Sequence, residues 1–252
     1  MKKTELPYSI FAGYYDTITA PFQKAENCRL HRFAREHGCR SLCDYACGTG
    51  TLLKFFQDKK FSVSGCDISR DMIEIAAERT GISDPSRLCV EDMVRFSPGS
   101  WVDMASCRFD AINYLKKATQ WRLFFSNVFN ALNPGGIFLF DFVTEHDLIQ
   151  NWPGHFQVHN GENWVCTRLA AYDPGKNIGS ETMHWFIYDR DQWIDRTETH
   201  WHVSFPHREV REMLKEAGFT AVRMTDYDTG KRVSINRTVR TEVYARKKRG
   251  KV

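Results

Sequence analysis

The stretch Leu42-Cys43-Asp44-Tyr45-Ala46-Cys47-Gly48-Thr49-Gly50-Thr51 decides the fold of this chain. A short apolar run ends in an acidic residue, two glycines follow one residue apart, and the next five residues, 52–56, have a helical pattern. A strand that turns on glycine into a helix lets a ligand approach the backbone closely, because glycine has no Cβ. The free amides at the helix start then face the crevice beyond the strand. The stretch therefore predicts a nucleotide-like ligand at this turn.

Length and composition indicate a globular protein with one large domain, or a core domain with a sizeable insertion. The chain has 252 residues, of which 42% are hydrophobic and 26% are charged, which is ordinary for such a protein. No apolar run approaches the ~18 residues that suggest a membrane span. Pro7 precedes any apolar stretch, so we expect no signal peptide and a cytoplasmic location without membrane contact.

The eight cysteines indicate core thiols and no metal site. Several fall inside predicted buried strands, and without a signal peptide reduced thiols are favoured over disulfides. Cys39, Cys43 and Cys47 are spaced by four residues, whereas zinc sites usually contain a tighter C-x-x-C pair. We therefore expect no metal ligands.

The basic tail, Arg246-Lys247-Lys248-Arg249-Gly250-Lys251, carries five positive charges in six residues. A solvated, frayed terminus is the favoured interpretation. A nucleic-acid patch would need further basic residues on the same face, interleaved with aromatic residues. The tail therefore gives little support to a nucleic-acid partner.

Strand and helix patterns alternate in the middle of the chain, and this predicts a parallel sheet with helices on both faces. Helices are expected over the first 40 residues, the second of them ending near Gly38. The predicted strands cover 41–44, 61–67, 88–91, 102–107 and 137–143. The predicted helices between them cover 51–58, 69–79 and 119–132.

The pattern changes after the fifth strand. Residues 164–172, 181–188 and 193–203 read as strands joined by turns, which predicts an antiparallel meander inserted into the parallel sheet. A helix over 206–217 and strands over 219–224 and 239–244 then return the chain to the sheet. The expected organisation is 1–144 for the N-terminal helices and the core, 145–204 for the cap, and 205–252 for the completing elements and the tail.

These motifs and their order resemble the S-adenosylmethionine-dependent methyltransferases of the seven-stranded Rossmann-like kind (class I). The resemblance is good over about residues 40–145 and looser over 205–246. It implies an α/β fold with a doubly wound, mostly parallel seven-stranded sheet and an antiparallel β cap inserted after strand five. It also implies an enzyme with S-adenosyl-L-methionine as its cofactor.

The resemblance further implies cofactor contacts at named positions. The glycine-rich first motif would cradle the methionine part of the cofactor; its candidate residues are Asp44, Ala46, Cys47, Gly48 and Gly50. Asp67 ends strand two, where a carboxylate can accept hydrogen bonds from the two ribose hydroxyls.

Four further cofactor contacts follow from the same resemblance. Ile68 would pack on the adenine, Asp92 would take the adenine amino group, and the amide of Met93 would meet a ring nitrogen. Cys107 lies in the segment after strand four that in this family runs beside the transferred methyl group. Tyr14-Tyr15-Asp16 is similar to the entry helix of small-molecule members, in which a tyrosine, here Tyr15 or Tyr14, reaches over the cofactor.

Two differences from the motifs of other enzyme classes reduce the number of possible functions. NAD enzymes favour G-x-G-x-x-G, but the third position here is Leu53. Base-directed methyltransferases usually carry an Asn/Asp-Pro-Pro-aromatic sequence after strand four, whereas this chain has Cys107-Arg108-Phe109-Asp110. An RNA or protein methyltransferase and a non-catalytic S-adenosylmethionine-binding protein stay open as alternatives.

Candidate catalytic groups lie mainly on the predicted cap. His200 and His202 share a strand face with Glu198 under period-two alternation, and a cap above the sheet edge would let either histidine deprotonate an acceptor. The competing interpretation is that both are half-exposed sheet residues without a role. Tyr14 is a third candidate, and Asp110 and Asn113 are alternative polar groups near the expected methyl site.

The sequence favours a methyltransferase that acts on a nitrogen or oxygen of a small-molecule acceptor. Among small-molecule members, the chain looks most like N-methyltransferases of amino sugars and related metabolites. The acceptor, the general base and the oligomeric state, a homodimer included, stay open.

Overall fold

A seven-stranded sheet forms the centre of the computed structural model, which describes residues 7–249. The strands, in chain order, are β1 (Ser41–Tyr45), β2 (Ser62–Asp67), β3 (Leu88–Val90), β4 (Val102–Cys107), β5 (Leu132–Val143), β6 (Phe156–Asn160), β7 (Trp164–Asp173), β8 (Ile178–Asp189), β9 (Gln192–His202), β10 (Ala221–Asp226) and β11 (Arg240–Arg246). The helices are α1 (Tyr15–Glu36), α2 (Thr51–Asp58), α3 (Arg70–Thr80), α4 (Ala118–Ala131), α5 (Glu145–Gln150) and α6 (His207–Glu216), with short 3-10 turns at Phe11–Gly13 and Ala111–Tyr114.

The central sheet has the strand order β3-β2-β1-β4-β5-β11-β10. β1 to β5 pair in parallel, and β11 is antiparallel to both of its neighbours. The chain leaves β1 toward β2 and β3, and later crosses back to place β4 on the other side of β1. A reversal of this kind opens a crevice beyond the carboxyl ends of the strands. The predicted doubly wound sheet is confirmed.

Both faces of the sheet are buried, because alternate side chains of each strand pack against different helices. Phe138 and Phe140 on β5 pack with the apolar faces of α4 and α6. Ile137 and Leu139, on the same strand, pack with residues of α1, α2 and α3. The near-continuous apolar run of β5 follows from this two-sided burial.

A second, antiparallel sheet with the order β6-β7-β8-β9 lies in the insertion after β5. Its inner face packs on the N-terminal segment through Phe11, Trp164, Met183 and Trp185. The carboxylate of Glu198 on β9 accepts hydrogen bonds from the amides of Ile10 and Phe11, at 3.2 and 2.9 Å. The predicted cap is confirmed, and the N-terminal segment is held beneath it.

The side chain of Asn113 joins the inserted sheet to the core. Its Nδ2 donates to the carbonyls of Val143 and Val203, at 3.1 and 2.9 Å, and its Oδ1 accepts from the amide of Val143 at 3.0 Å. Asn113 is completely buried. One residue in the loop after β4 therefore fixes the end of β5 against the end of β9.

Two local predictions were wrong. More than one helix was expected over the first 40 residues, but Tyr15–Glu36 is one continuous helix that follows a 3-10 turn and ends close to Gly38, as expected. Pro21 removes only one hydrogen bond of this long helix. The first basic residues of the tail are also not frayed. Lys247 donates to the carbonyls of Phe129 and Leu132 at the end of α4, both at 2.8 Å, where a cation is favourable.

Within residues 7–249, no helix combines the length and the apolar character that crossing a membrane requires. Gly250 and Lys251 of the tail lie outside the described residues.

Candidate active site

A cavity of about 710 Å³ lies at the carboxyl edge of the central sheet, where the strand order reverses. Its walls come from α1, from the segments that follow β1, β2, β3 and β4, and from the N-terminal segment beneath the inserted sheet. Most of the predicted cofactor residues line it. These are Tyr15, Asp44, Ala46, Cys47, Gly48, Asp67, Ile68, Asp92 and Met93.

The turn after β1 presents an open backbone to the cavity. Ala46 and Gly48 have left-handed φ angles of 57° and 54°. A Cβ on Gly48 would come no closer than 3.9 Å to any neighbouring atom, so its inner face is free for a ligand.

Gly50 serves helix packing instead of lining the cavity, which corrects its predicted role. Its φ is 74°, and a Cβ there would lie 2.9 Å from the Cβ of Ala76 on α3. A side chain at Gly50 would therefore push α2 away from α3. The two glycines of the motif have different functions, although the sequence presents them alike.

Asp67 ties the ends of β1 and β2 together. Its carboxylate accepts hydrogen bonds from the amides of Gly48 and Ser69, both at 2.9 Å. Burial raises the pKa of Asp67, and these backbone hydrogen bonds oppose part of the increase. The group lines the cavity with acceptor capacity left, since a carboxylate offers about four lone-pair sites.

One end of the cavity is apolar. Ile68 is 71% exposed and Val90 is 43% exposed, although both are large aliphatic residues, and both line the cavity next to Met93. Asp92 lies at the same end, where its carboxylate accepts from the amide of Val94 at 3.0 Å. A flat, apolar ring system with polar edges suits these surroundings.

The opposite end is polar and charged. Asp44 is buried and accepts a hydrogen bond from Ser106 at 2.6 Å, and burial raises its pKa to about 7. Arg108 is buried in an ion pair with Glu26 and lies 3.3 Å from Asp141. Among the described residues its Nη1 has no hydrogen-bond partner, and Arg108 lines the cavity. A zwitterionic amino-acid group fits a site that offers both a carboxyl and a guanidinium.

Sequence reasoning missed Arg108, although a charged residue directly after a buried strand was a signal that could have found it. Cys107 was chosen in its place. The Cys107 side chain is completely buried in the core cluster and does not line the cavity. Successive residues of a strand point to opposite sides, so the next position, Arg108, reaches the ligand side.

Aromatic and basic side chains close the cavity near the inserted sheet. Tyr8, Tyr15 and Tyr114 line it together with Lys116 and Trp201. The Lys116 ammonium lies 4.8 Å from the centre of the Trp201 ring, which is a cation–π distance.

Tyr14 does not reach the cavity. Its ring stacks on Trp185 with the centroids 4.9 Å apart, and it also contacts Trp164. It belongs to the packing of the inserted sheet, because neighbouring helix positions point about 100° apart and only Tyr15 faces the ligand.

His200 and His202, the predicted catalytic candidates, are buried and neither lines the cavity; the competing interpretation, that they are half-exposed, is wrong. Nδ1 of His200 lies 2.6 Å from the hydroxyl of Tyr114. Nδ1 of His202 lies 3.5 Å from Asp110. Burial lowers the pKa of His200 to about 4 and that of His202 to about 3. Both imidazoles are therefore neutral near pH 7, and the ring of Tyr114, which does line the cavity, contacts both of them.

Comparison with known proteins gives the family. Residues 42–136 match the sequence model described as a methyltransferase domain. YqeM of Bacillus subtilis, which is named as a methyltransferase, is 29% identical over 224 residues that cover 86% of this chain and 88% of YqeM. A dTDP-3-amino-3,4,6-trideoxy-alpha-D-glucopyranose N,N-dimethyltransferase of Streptomyces venezuelae is 25% identical, covering 75% of this chain and 71% of that enzyme.

The fold is also similar to that of solved methyltransferase structures. The crystal structure of an S-adenosylmethionine-dependent methyltransferase from Clostridium acetobutylicum superposes with a TM-score of 0.81 at 20% identity, covering 96% of this chain and 99% of the other. The methyltransferase sequence match over residues 42–136, the strand order and the position of the cavity together support a class I S-adenosylmethionine-dependent methyltransferase.

Proposed function

We propose that the protein transfers a methyl group from S-adenosyl-L-methionine to a nitrogen, or in second place an oxygen, of a small-molecule acceptor. One observation carries this proposal. A single cavity has an apolar end at Ile68, a buried carboxylate at Asp67 and a charged end at Asp44 and Arg108. An adenine, a ribose and an amino-acid group follow one another in the same order in the cofactor.

The described residues fit that cofactor. Asp67 would hold the ribose hydroxyls, and Ile68 and Met93 would flank the adenine. Arg108, whose Nη1 is buried without a hydrogen-bond partner in the described chain, would take the carboxylate of the methionine part, since guanidinium and carboxylate groups match in geometry. Asp44 would face its ammonium group.

Bound S-adenosyl-L-methionine supplies an electrophilic methyl group on a sulfonium, and the protein's contribution is binding, orientation and desolvation. Alignment of two reactants can supply roughly 7–11 kcal/mol of barrier lowering. Tyr8, Tyr15 and Tyr114, together with the inserted sheet, would align the acceptor nitrogen with the methyl group and exclude water from the cavity.

A nitrogen acceptor is favoured because the described residues place no histidine on the cavity, and the carboxyl groups of Asp44 and Asp67 are the ones proposed to bind the cofactor. A hydroxyl acceptor needs a base to remove its proton, whereas an amine needs only to be neutral. None of the histidines in residues 7–249 lines the cavity. The Streptomyces relative is named for N,N-dimethylation of a dTDP-amino sugar, which supports an amine on a small, polar metabolite.

The side of the cavity near the inserted sheet supports the same class of acceptor. Lys116 and Trp201 lie there side by side, a pair that suits an anionic or ring-bearing group attached to the amine. The eight cysteines are all free thiols in the structure, which supports a reducing, cytoplasmic location.

Two measurements test the proposal in sequence. Calorimetric titration with S-adenosylmethionine, S-adenosylhomocysteine and NADH should show binding of the first two only. Transfer of a radiolabelled methyl group should then be assayed against a panel of dTDP-amino sugars, simple amines, hydroxy acids and RNA. Labelled amine supports the proposal, labelled RNA supports the nucleic-acid alternative, and cofactor binding with no transfer to any member supports a non-catalytic binding protein.

A further inference from the structure

A chain of three hydrogen-bonding side chains runs from the cavity into the packed interior of the inserted sheet. The hydroxyl of Tyr8 lies 2.8 Å from the hydroxyl of Tyr114, and the latter lies 2.6 Å from Nδ1 of His200. Tyr8 and Tyr114 line the cavity, whereas His200 is 1% exposed and does not. The chain therefore connects a ligand-facing phenol with a buried imidazole.

The buried end fixes the direction of the hydrogen bonds. His200 is enclosed by the rings of Tyr8, Phe11 and Tyr114, and burial keeps its imidazole neutral, so one ring nitrogen is a bare acceptor. A phenol is a stronger acid than a neutral imidazole, and an imidazole nitrogen is a stronger base than a phenol oxygen. On this chemistry Tyr114 is the donor and Nδ1 of His200 the acceptor, which places the imidazole proton on Nε2, a nitrogen that is buried without a hydrogen-bond partner among the described residues.

The direction of this hydrogen bond also determines the direction of the next one, between Tyr8 and Tyr114. Each phenol has a single proton. Because the Tyr114 proton is engaged by His200, the oxygen of Tyr114 accepts the proton of Tyr8. The Tyr8 oxygen then has no proton to offer a ligand, and it presents only lone pairs to the cavity.

We propose that the Tyr8–Tyr114–His200 chain makes Tyr8 an obligate hydrogen-bond acceptor that holds an N–H of the methyl acceptor, with His200 as a positioning residue. The inference rests on the proposed function and narrows it. The preferred acceptor is a primary or secondary amine, since a tertiary amine has no N–H in its neutral form.

The geometry would assist the transfer itself. The nitrogen lone pair forms the N–C bond, the C–S bond breaks with its electron pair returning to sulfur, and the positive charge moves to nitrogen. The N–H becomes a better donor as this charge develops, so its bond to Tyr8 strengthens in the transition state. The proton stays on the product nitrogen and is lost to water after release, and the chain itself transports none.

The tautomer of His200 tests the direction of the chain without any acceptor. Long-range proton–nitrogen correlation spectra of the 15N-labelled protein at pH 7.5 report which ring nitrogen carries the proton, and His200→Phe assigns the signal. We expect the proton on Nε2 and a bare Nδ1, with a changed tautomer equilibrium in Tyr114→Phe. A proton on Nδ1, a charged ring, or no response to Tyr114→Phe overturns the proposal, whether or not the protein is a methyltransferase.

Steady-state kinetics test the role of the chain in transfer. With dTDP-3-amino-3,4,6-trideoxyglucose as the probe amine, Tyr8→Phe and Tyr114→Phe should each lower kcat/KM by roughly 3- to 10-fold, mainly through kcat, with an unchanged Kd for S-adenosylhomocysteine. The double variant should lose little more than either single variant, because both act through one chain.

Matched controls are available elsewhere in the protein. Tyr172→Phe removes an exposed phenol that pairs with Asn177, and His184→Phe alters an exposed histidine on the outer side of the same sheet; both should keep the wild-type kcat/KM. Wild-type kcat/KM in Tyr8→Phe overturns the proposal. If the probe amine is not methylated, the tautomer measurement alone decides.

Discussion

The carboxylate of Asp67 accepts a hydrogen bond from the backbone amide of Gly48 at 2.9 Å, and this contact joins the ends of two neighbouring parallel strands at the floor of the cavity. One carboxylate thus shapes the glycine turn and lines the cavity. The position of the turn and the position of the proposed ribose site are consequently coupled through a single side chain.

Replacing Asp67 by asparagine should weaken cofactor binding while preserving the fold. The amide oxygen of asparagine can still accept from Gly48, but the hydrogen bond from Ser69 is lost together with the charge-assisted hydrogen bond to a ribose hydroxyl. We expect the Kd for S-adenosylhomocysteine to rise at least about fivefold, corresponding to roughly 1 kcal/mol or more, as measured by calorimetry. Asp58→Asn, at an exposed end of α2, is the control. An unchanged Kd in Asp67→Asn would remove the assignment.

Cofactor affinity should increase as the pH rises from about 6 to 8. Burial raises the pKa of Asp44 to about 7, so below that pH the free protein carries a neutral carboxyl, which must lose its proton to pair with a cationic ligand. Binding should then release protons, and affinity should fall by at most about tenfold for each pH unit below the pKa. Calorimetry in two buffers of different ionisation enthalpy counts the protons.

Asp44→Asn separates this effect from other ionisations. Burial also raises the pKa of Asp110 to about 7, but Asp110 does not line the cavity. The pH dependence of affinity should therefore flatten in Asp44→Asn. The same slope in the variant and the wild type would show that another group is responsible.

Comparing alanine substitutions at Gly50 and Gly81 distinguishes the cost of a left-handed backbone from the cost of a steric contact. Gly50 and Gly81 both have left-handed φ angles, of 74° and 70°, but only Gly50 faces a neighbour, at 2.9 Å from Ala76; Gly81 has nothing within 4 Å. Gly81→Ala should cost about 1–2 kcal/mol of unfolding free energy from the φ angle alone. Gly50→Ala should cost roughly 1–3 kcal/mol more because of overpacking. Urea unfolding measures both, and equal losses would contradict the packing role.

Asn113→Ala should loosen the inserted sheet from the core. The substitution removes three buried hydrogen bonds to Val143 and Val203. The Val143 carbonyl keeps a hydrogen bond from Ser204, so two backbone groups are left without this partner, at about 1–3 kcal/mol each. We expect a loss of at least about 2 kcal/mol in urea unfolding and faster proteolysis within residues 145–204. Asn151→Ala, which removes an exposed hydrogen bond to Asp147, should change the unfolding free energy by less than about 1 kcal/mol. Equal losses would contradict the anchoring role.

The sequence was sufficient to predict the strands of the central sheet and the cavity-lining residues at the carboxyl ends of β1 to β3. Apolar runs that end in Asp44 or Asp67 mark both the strands and their carboxyl ends, because a buried parallel strand has few polar residues until it reaches the crevice. β6 and α5 were not predicted. β6 is an edge strand of five residues with only two apolar side chains, Phe156 and Val158, which are both exposed, and α5 has only six residues.

The periodicity of the sequence could not predict which side chains reach the cavity and which are buried behind them. Period-two alternation correctly placed His200 and His202 on one face with Glu198. Whether that face reaches the cavity depends on Tyr114, which comes from a loop distant in sequence, lines the cavity and contacts both histidines. The same limit applies to Tyr14 and Tyr15, where a rotation of the helix decides which ring faces the cavity. Such relationships arise from tertiary packing and leave no local signal in the chain.

The crystal structure of the complex with S-adenosylhomocysteine is the most direct test of the proposed cofactor site. The account predicts the ribose hydroxyls within hydrogen-bonding distance of Asp67, the adenine between Ile68 and Met93, and the sulfur on the side of the cavity that Tyr8 and Tyr114 line. An adenosyl group bound elsewhere, or bound in this cavity without contact to Asp67, would contradict it.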